Sequence, residues 1–149
     1  MKGKVNEISI SYKERKTIAK APSINSSLDA AELLFENWDK DTITLYESFK
    51  VLLLNNSNKV KGSYELSKGG ITGTLVDMRI LFATVLKSLS VAIILAHNHP
   101  SGKLQASSAD IKLTKRITQA ADFFDVKVLD HLIIAPDGNY YSFADNHIL

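Results

Sequence analysis

The stretch LAHNHPSGKLQASSAD, from Leu95 to Asp110, holds the residues best suited to chemistry. His97 and His99 stand one residue apart at the end of an apolar run, and Ser107 and Asp110 follow at the spacing of a helix start. Side chains two apart on a strand share a face, so both imidazoles can reach one point while Asn98 turns away. Pro100 ends the strand and Ser101-Gly102 supplies a turn. The pair then lies just past a strand end, where α/β folds often build sites. Two imidazoles and a carboxylate form a three-ligand set suited to catalytic Zn²⁺, with a fourth position for water. Such an ion lowers the pKa of the water and polarises a substrate carbonyl, while a separate carboxylate takes the proton. A second reading needs no metal. Ser107 caps the helix and Asp110 faces the positive end of its dipole. That reading leaves the His-x-His pair at the end of a buried strand unexplained.

Other chemistries are narrowed by what the chain lacks. It has no cysteine, which excludes disulfides, thiolate metal sites, cysteine nucleophiles and the Pro-Cys-x-x-Cys of zinc deaminases. It has no His-Glu-x-x-His and no phosphate-binding glycine loop, and GGITG is too short to count as one. His131 lies between the apolar pairs Val128-Leu129 and Leu132-Ile133. It reads either as a hydrogen-bonded core histidine or as a partner of the site. Glu47, Glu65 and Asp77 are equally open as a proton-accepting carboxylate, and a charge beside an apolar strand is ordinarily a solvated end.

These residues need elements to hold them. SVAIILAH is continuously apolar and rich in β-branched residues, which suits a central strand covered on both faces. Ser107 to Phe124 has helical spacing, with Leu113, Ile117, Ala120, Ala121 and Phe124 inward. DMRILFATVLKSL reads as a second helix, with Met78, Phe82, Val85, Leu86 and Leu89 on one face. A third begins at Ser27 with Leu28, Ala31, Leu34, Phe35 and Trp38 at helical spacing, and Ser26 with Asp29 resembles a capping pair. Two strands around NNSN predict a hairpin, GGITGT begins a short extended piece, and VKVLDHLIIA, the turn PDG and YYSF give further strands. NEISISYK alternates Ile8, Ile10 and Tyr12 with polar residues and predicts a half-buried strand. Helices alternating with strands around a buried strand point to a three-layer α/β architecture.

Length and composition set the frame. At 149 residues the chain is most simply one domain with a substantial core. A net charge of +2 is too weak for a nucleic-acid footprint. Lys2, Lys4, Lys13, Arg15, Lys16 and Lys20 thicken the basic character near the start, which reads as solvated surface. No run of about 18 apolar residues exists, so no membrane span is expected. The start MKGKVNEISI lacks a signal-peptide core, and the expected location is cytoplasmic.

The spacing His97-x-His99-Pro100, six residues, Ser107, two residues, Asp110 resembles the motif of the MPN/JAMM metalloproteases. AIILAHNHPSG, then LDHLII and YYSF, look like the RadC branch, over most of the chain from about Ala30. The resemblance implies a mixed, curved sheet flanked by helices, spanning 26–149 after an N-terminal strand and loop, 1–25. It implies one Zn²⁺ per chain held by His97, His99 and Asp110, with Ser107 stabilising the oxyanion and Glu47, in YESFKVLLL, as general base. His131 would be a partner behind the ligands. The implied activity is zinc-dependent hydrolysis of an amide or isopeptide bond in a protein or peptide. A DNA-repair or mobile-element accessory module is the alternative, and a non-catalytic interaction domain or homo-oligomer is a third. Full-length relatives of this kind carry an N-terminal helix-hairpin-helix segment suited to DNA, which about 25 residues before the first helix cannot form. Lys103-Leu104-Gln105-Ala106 replaces the prolines usual in the ligand loop, which predicts a looser loop.

Overall fold

The apolar run before the histidines is the middle strand of a five-stranded sheet. The structure is a computed structural model, and it describes residues 3–13, 17–69 and 75–149. Lys2, Arg15, Lys16 and residues 70–74 of the extended piece expected from GGITGT, 69–74, lie outside the described residues. The hairpin expected around NNSN forms from β1 (Ser48–Leu54) and β2 (Val60–Lys68). The middle strand is β3 (Ala92–Asn98), followed by β4 (Lys127–Ile134) and β5 (Tyr140–Ser142). The spatial order is β2-β1-β3-β4-β5. β1 runs antiparallel to β2 and β3, β3 and β4 are parallel, and β5 is antiparallel to β4, so the sheet is mixed. Every residue of β3 is buried, as coverage on both faces requires.

Helices supply the outer layers. From α1 (Ser27–Glu36) and the turn after it, Ala30, Ala31, Leu34 and Trp38 pack with Leu52, Leu54, Ile94, Ala96, Leu132 and Ile134 on one face. On the other, α2 (Met78–Lys87) and α3 (Ser108–Asp122) bring Leu81, Phe82, Val85, Ile117 and Ala121 against Phe49, Val51, Leu53, Ile93 and Leu95. Ser26 caps α1 by accepting from the Asp29 N–H, as the Ser26/Asp29 pair predicts. Among the described residues no helix is long and apolar enough to cross a membrane.

Two sequence expectations fail for physical reasons. The strand predicted for NEISISYK is absent: residues 3–13 have no regular structure, and Ile8 and Ile10 are 89% and 74% exposed. Alternation yields a strand only where a neighbour accepts its backbone hydrogen bonds. Among the described residues the five strands pair with one another, and the isolated bridge on the N-terminal side comes after this arm, from Ser23 to Lys59. Leu28, Leu86, Leu89 and Phe124, expected on the apolar stripes of their helices, are exposed. Leu28 and Leu86 belong to the end turns of their helices, outside the buried residues of each. Leu89 and Phe124 lie beyond the helix ends, where left-handed residues (Leu89 at φ 52°, Asp125 at φ 54°) turn the chain. The period of a helix assigns faces only within the helix. Leu81 and Thr114 take inward places instead.

Candidate metal centre

β3 delivers His97 to the α3 side of the sheet, and the turn that follows brings His99 beside it. The His99 N–H donates to the Ile134 carbonyl at 3.1 Å and the Gly102 N–H to the His99 carbonyl at 2.9 Å. Gly102 adopts φ +80°, a region that favours glycine. The chain then enters α3 through a reciprocal cap. Ser107 Oγ accepts from the Asp110 N–H at 3.0 Å, and Asp110 Oδ2 accepts from the Ser107 N–H at 2.9 Å. The same carboxylate lies 3.4 Å from His97 Nε2 and 3.6 Å from His99 Nε2. Asp110 therefore caps the helix and faces both histidines, so the two readings of the sequence are compatible. Among the described residues, His97, His99 and Asp110 are the group whose ligand atoms lie close enough together to hold a metal ion.

The donor set fits zinc. Both Nδ1 atoms are engaged away from the cluster, His97 with His131 Nε2 at 2.7 Å and His99 with the Lys103 carbonyl at 2.6 Å. A carbonyl only accepts, so His99 is protonated on Nδ1 and its Nε2 is left to face inward. The two Nε2 atoms are 3.0 Å apart. Two donors held tetrahedrally at about 2.0–2.1 Å from one zinc would be about 3.3 Å apart. Lone pairs and a carboxylate this close repel unless a cation or proton lies among them. The link from His99 to Lys103 uses main-chain oxygen, so the unusual side chains at 103–106 do not weaken it.

Charge follows the same pattern. Burial opposes ionisation of Asp110, but its contacts with the imidazoles of His97 and His99 outweigh it and hold the carboxyl well below the usual range. Burial also opposes charge on His99, yet Asp110, the Lys103 carbonyl and the charge of Glu47 raise its pKa. His131 is fully buried, and desolvation, with His97 beside it, pushes its pKa well down.

A cavity of about 660 Å³ opens over the cluster and is lined by Glu47, Phe49, His97, His99, Ser107 and Asp110 among others. A larger hollow, about 950 Å³, lies beside Tyr12, Ile18 and Pro22 and contains none of these groups. Of the three carboxylates left open by the sequence, Glu47 is the one in the cavity wall. Glu65 pairs with Lys68 on β2 at 3.8 Å, and Asp77 caps α2 and pairs with Arg79 at 3.2 Å.

Two residues that sequence reasoning missed hold this arrangement. Asn98 does turn away from the histidines, and it is fully buried. Its Oδ1 accepts from the Ser48 N–H at 2.7 Å, and its Nδ2 donates to the carbonyls of Ile43 at 2.8 Å and Tyr46 at 2.9 Å. These bonds clamp the segment that carries Glu47. Asn98→Ala is expected to cost about 2–4 kcal/mol, because two buried backbone groups and one partly buried one lose their partner. Urea unfolding of metal-free protein measures this, and a loss below about 1 kcal/mol would contradict the clamp. The second is Thr114, one helical turn after Asp110 and in contact with His131. Its signal was a hydroxyl on the buried stripe with Ile117 and Ala121.

His131 reaches this face through a bulge. Ile93 pairs with Val128 and Ile94 with Asp130, so Leu129 is an extra residue in β4. The bulge turns His131 to the side of His97.

A family model described as the RadC-like JAB domain matches residues 24–148. A UPF0758 protein of Flavobacterium johnsoniae is 53% identical over 103 residues, 69% of this chain and 44% of that protein. A UPF0758 protein of Porphyromonas gingivalis is 47% identical over 103 residues, 69% of this chain and 45% of that protein. One of Thermosynechococcus vestitus is 36% identical over 129 residues, 87% of this chain and 48% of that protein. The chain thus spans about half the length of the curated relatives it matches.

Proposed function

This chain belongs to the RadC-like JAB domain family, and from that premise we propose that it is a zinc-dependent hydrolase of amide or isopeptide bonds in a protein or peptide. The observation that carries the reading is the convergence of two imidazole nitrogens and a carboxylate, 3.0–3.6 Å apart, in a cavity shared with Glu47 and Ser107. His97, His99 and Asp110 would hold the ion. When bound, zinc supplies a Lewis acid that acidifies a water and polarises the scissile carbonyl.

The chain's own residues do the rest. Glu47 takes the proton of the attacking water and returns it to the leaving amine. The Ser107 hydroxyl accepts from the Asp110 N–H, which leaves its own proton for the developing oxyanion. Phe49, Leu113 and Pro100 give the cavity apolar wall, which shields these proton transfers from bulk water.

The test is a peptide library incubated with zinc-loaded protein and read by mass spectrometry for new amino termini. Cleavages are expected with the wild type, are lost on chelation or in His99→Ala, and return on adding zinc to the wild type. Identical termini for the wild type and His99→Ala would contradict the reading.

A further inference from the structure

The hydrogen bonds behind His97 run in one direction. Thr114 Oγ1 lies 2.7 Å from the Asp110 carbonyl oxygen and 2.5 Å from His131 Nδ1. The carbonyl only accepts, so the single hydroxyl proton of Thr114 points to it. The hydroxyl then meets His131 as an acceptor, and His131 is protonated on Nδ1. The ring is wholly buried, stacked on Phe143 at 4.5 Å between centroids and edge-on to Phe49 at 5.4 Å. Its two nitrogens face Thr114 and His97 and no carboxylate. A second proton there would bury a charge with no anionic partner. His131 Nε2 is therefore a lone pair, 2.7 Å from His97 Nδ1, which must donate. His97 is left with its Nε2 lone pair toward His99 and Asp110.

We propose that Thr114 is a positioning residue that selects the metal-accepting tautomer of His97, acting through His131. The opposite polarity shows what is at stake. If the hydroxyl proton pointed at His131 Nδ1, His131 would donate from Nε2 to His97 Nδ1. His97 would then present an N–H to the cluster, and a protonated nitrogen cannot ligate. The Asp110 carbonyl, one helical turn before Thr114, decides between the two. The residue whose side chain completes the ligand set thus also orients the first ligand, through its main chain. His99 needs no such relay, because the Lys103 carbonyl accepts from it directly.

The assignment rests on the zinc reading, but it is tested on metal-free protein. Long-range ¹H–¹⁵N NMR at mildly alkaline pH, with labelled histidine, distinguishes protonated from lone-pair ring nitrogens. In the wild type, His97 and His131 are both expected to be protonated on Nδ1 and bare on Nε2. Thr114→Val keeps the shape and removes the hydroxyl. It is expected to let His97 populate the Nε2–H form and to weaken zinc binding about 10–100-fold. Thr114→Ser is expected to restore both the spectrum and the affinity. A wild-type spectrum with His131 protonated on Nε2 would overturn the assignment, and so would a wild-type His97 tautomer in Thr114→Val. If the valine variant does not fold, the wild-type and serine spectra decide. Expected tautomers in a wild type that takes up no zinc would overturn the zinc reading and leave the assignment of Thr114 standing.

Discussion

Replacing Glu47 with glutamine is expected to leave one zinc ion per chain and to lower turnover about 10²–10⁴-fold, the usual share of general acid–base catalysis. Glutamine keeps the size of the side chain and its ability to hydrogen-bond, but it cannot take a proton. Glu47 stands outside the ligand trio, just before β1, in the cavity wall. The trio is held by its own contacts: the Ser107–Asp110 cap, the Lys103 carbonyl and His131. None of these involves residue 47. The variant therefore separates proton transfer from metal binding. Elemental analysis gives the metal content, and steady-state rates on a peptide identified in the library screen give turnover, with the loss falling on kcat rather than KM. An unchanged rate with zinc in place would remove Glu47 from the mechanism.

Asp110→Asn should have the second large effect, on affinity rather than rate. Asparagine retains an oxygen that can accept from the Ser107 N–H, so the helix start survives. Only the charge near the dipole is lost, at a cost of about 0.3–1 kcal/mol. As a ligand, the neutral amide is far poorer than the carboxylate. Zinc affinity is expected to fall by more than about 100-fold, beyond what groups behind the ligands contribute. A competition titration against a chromophoric chelator reads the affinity, and thermal melts in chelator read the cap. Wild-type zinc affinity in this variant would mean that Asp110 is a cap and nothing more.

The grouping of His97, His99 and Asp110 as a candidate metal site was legible in the sequence because its determinants are local. A two-residue strand period puts His97 and His99 together, and the spacing of Ser107 and Asp110 is that of a capping box. Glu47 was not legible without a family resemblance. Its place depends on the pairing of Phe49 with His97 across β1 and β3, and on the Asn98 clamp, both far apart in the chain. His131 was ambiguous for a different reason. Strict alternation from Val128, which faces the α2/α3 core, would turn His131 toward α1, and the bulge at Leu129 reverses that. A bulge leaves no periodic trace. The N-terminal arm failed the other way: Ile8 and Ile10 alternate as a strand would, but a strand also needs a neighbour, and alternation cannot say whether one is there. The three-layer mixed α/β sheet itself followed from the buried run of β3 and the helical stripes around it.

In the proposed holoprotein, His97, His99 and Asp110 hold one zinc ion. Crystals grown from protein purified without chelator, measured on both sides of the zinc absorption edge, test it most directly. An anomalous peak about 2.0–2.2 Å from His97 Nε2, His99 Nε2 and an Asp110 oxygen is the expected result. Zinc-soaked crystals with no peak at that point, or with the ion bound elsewhere, would contradict it.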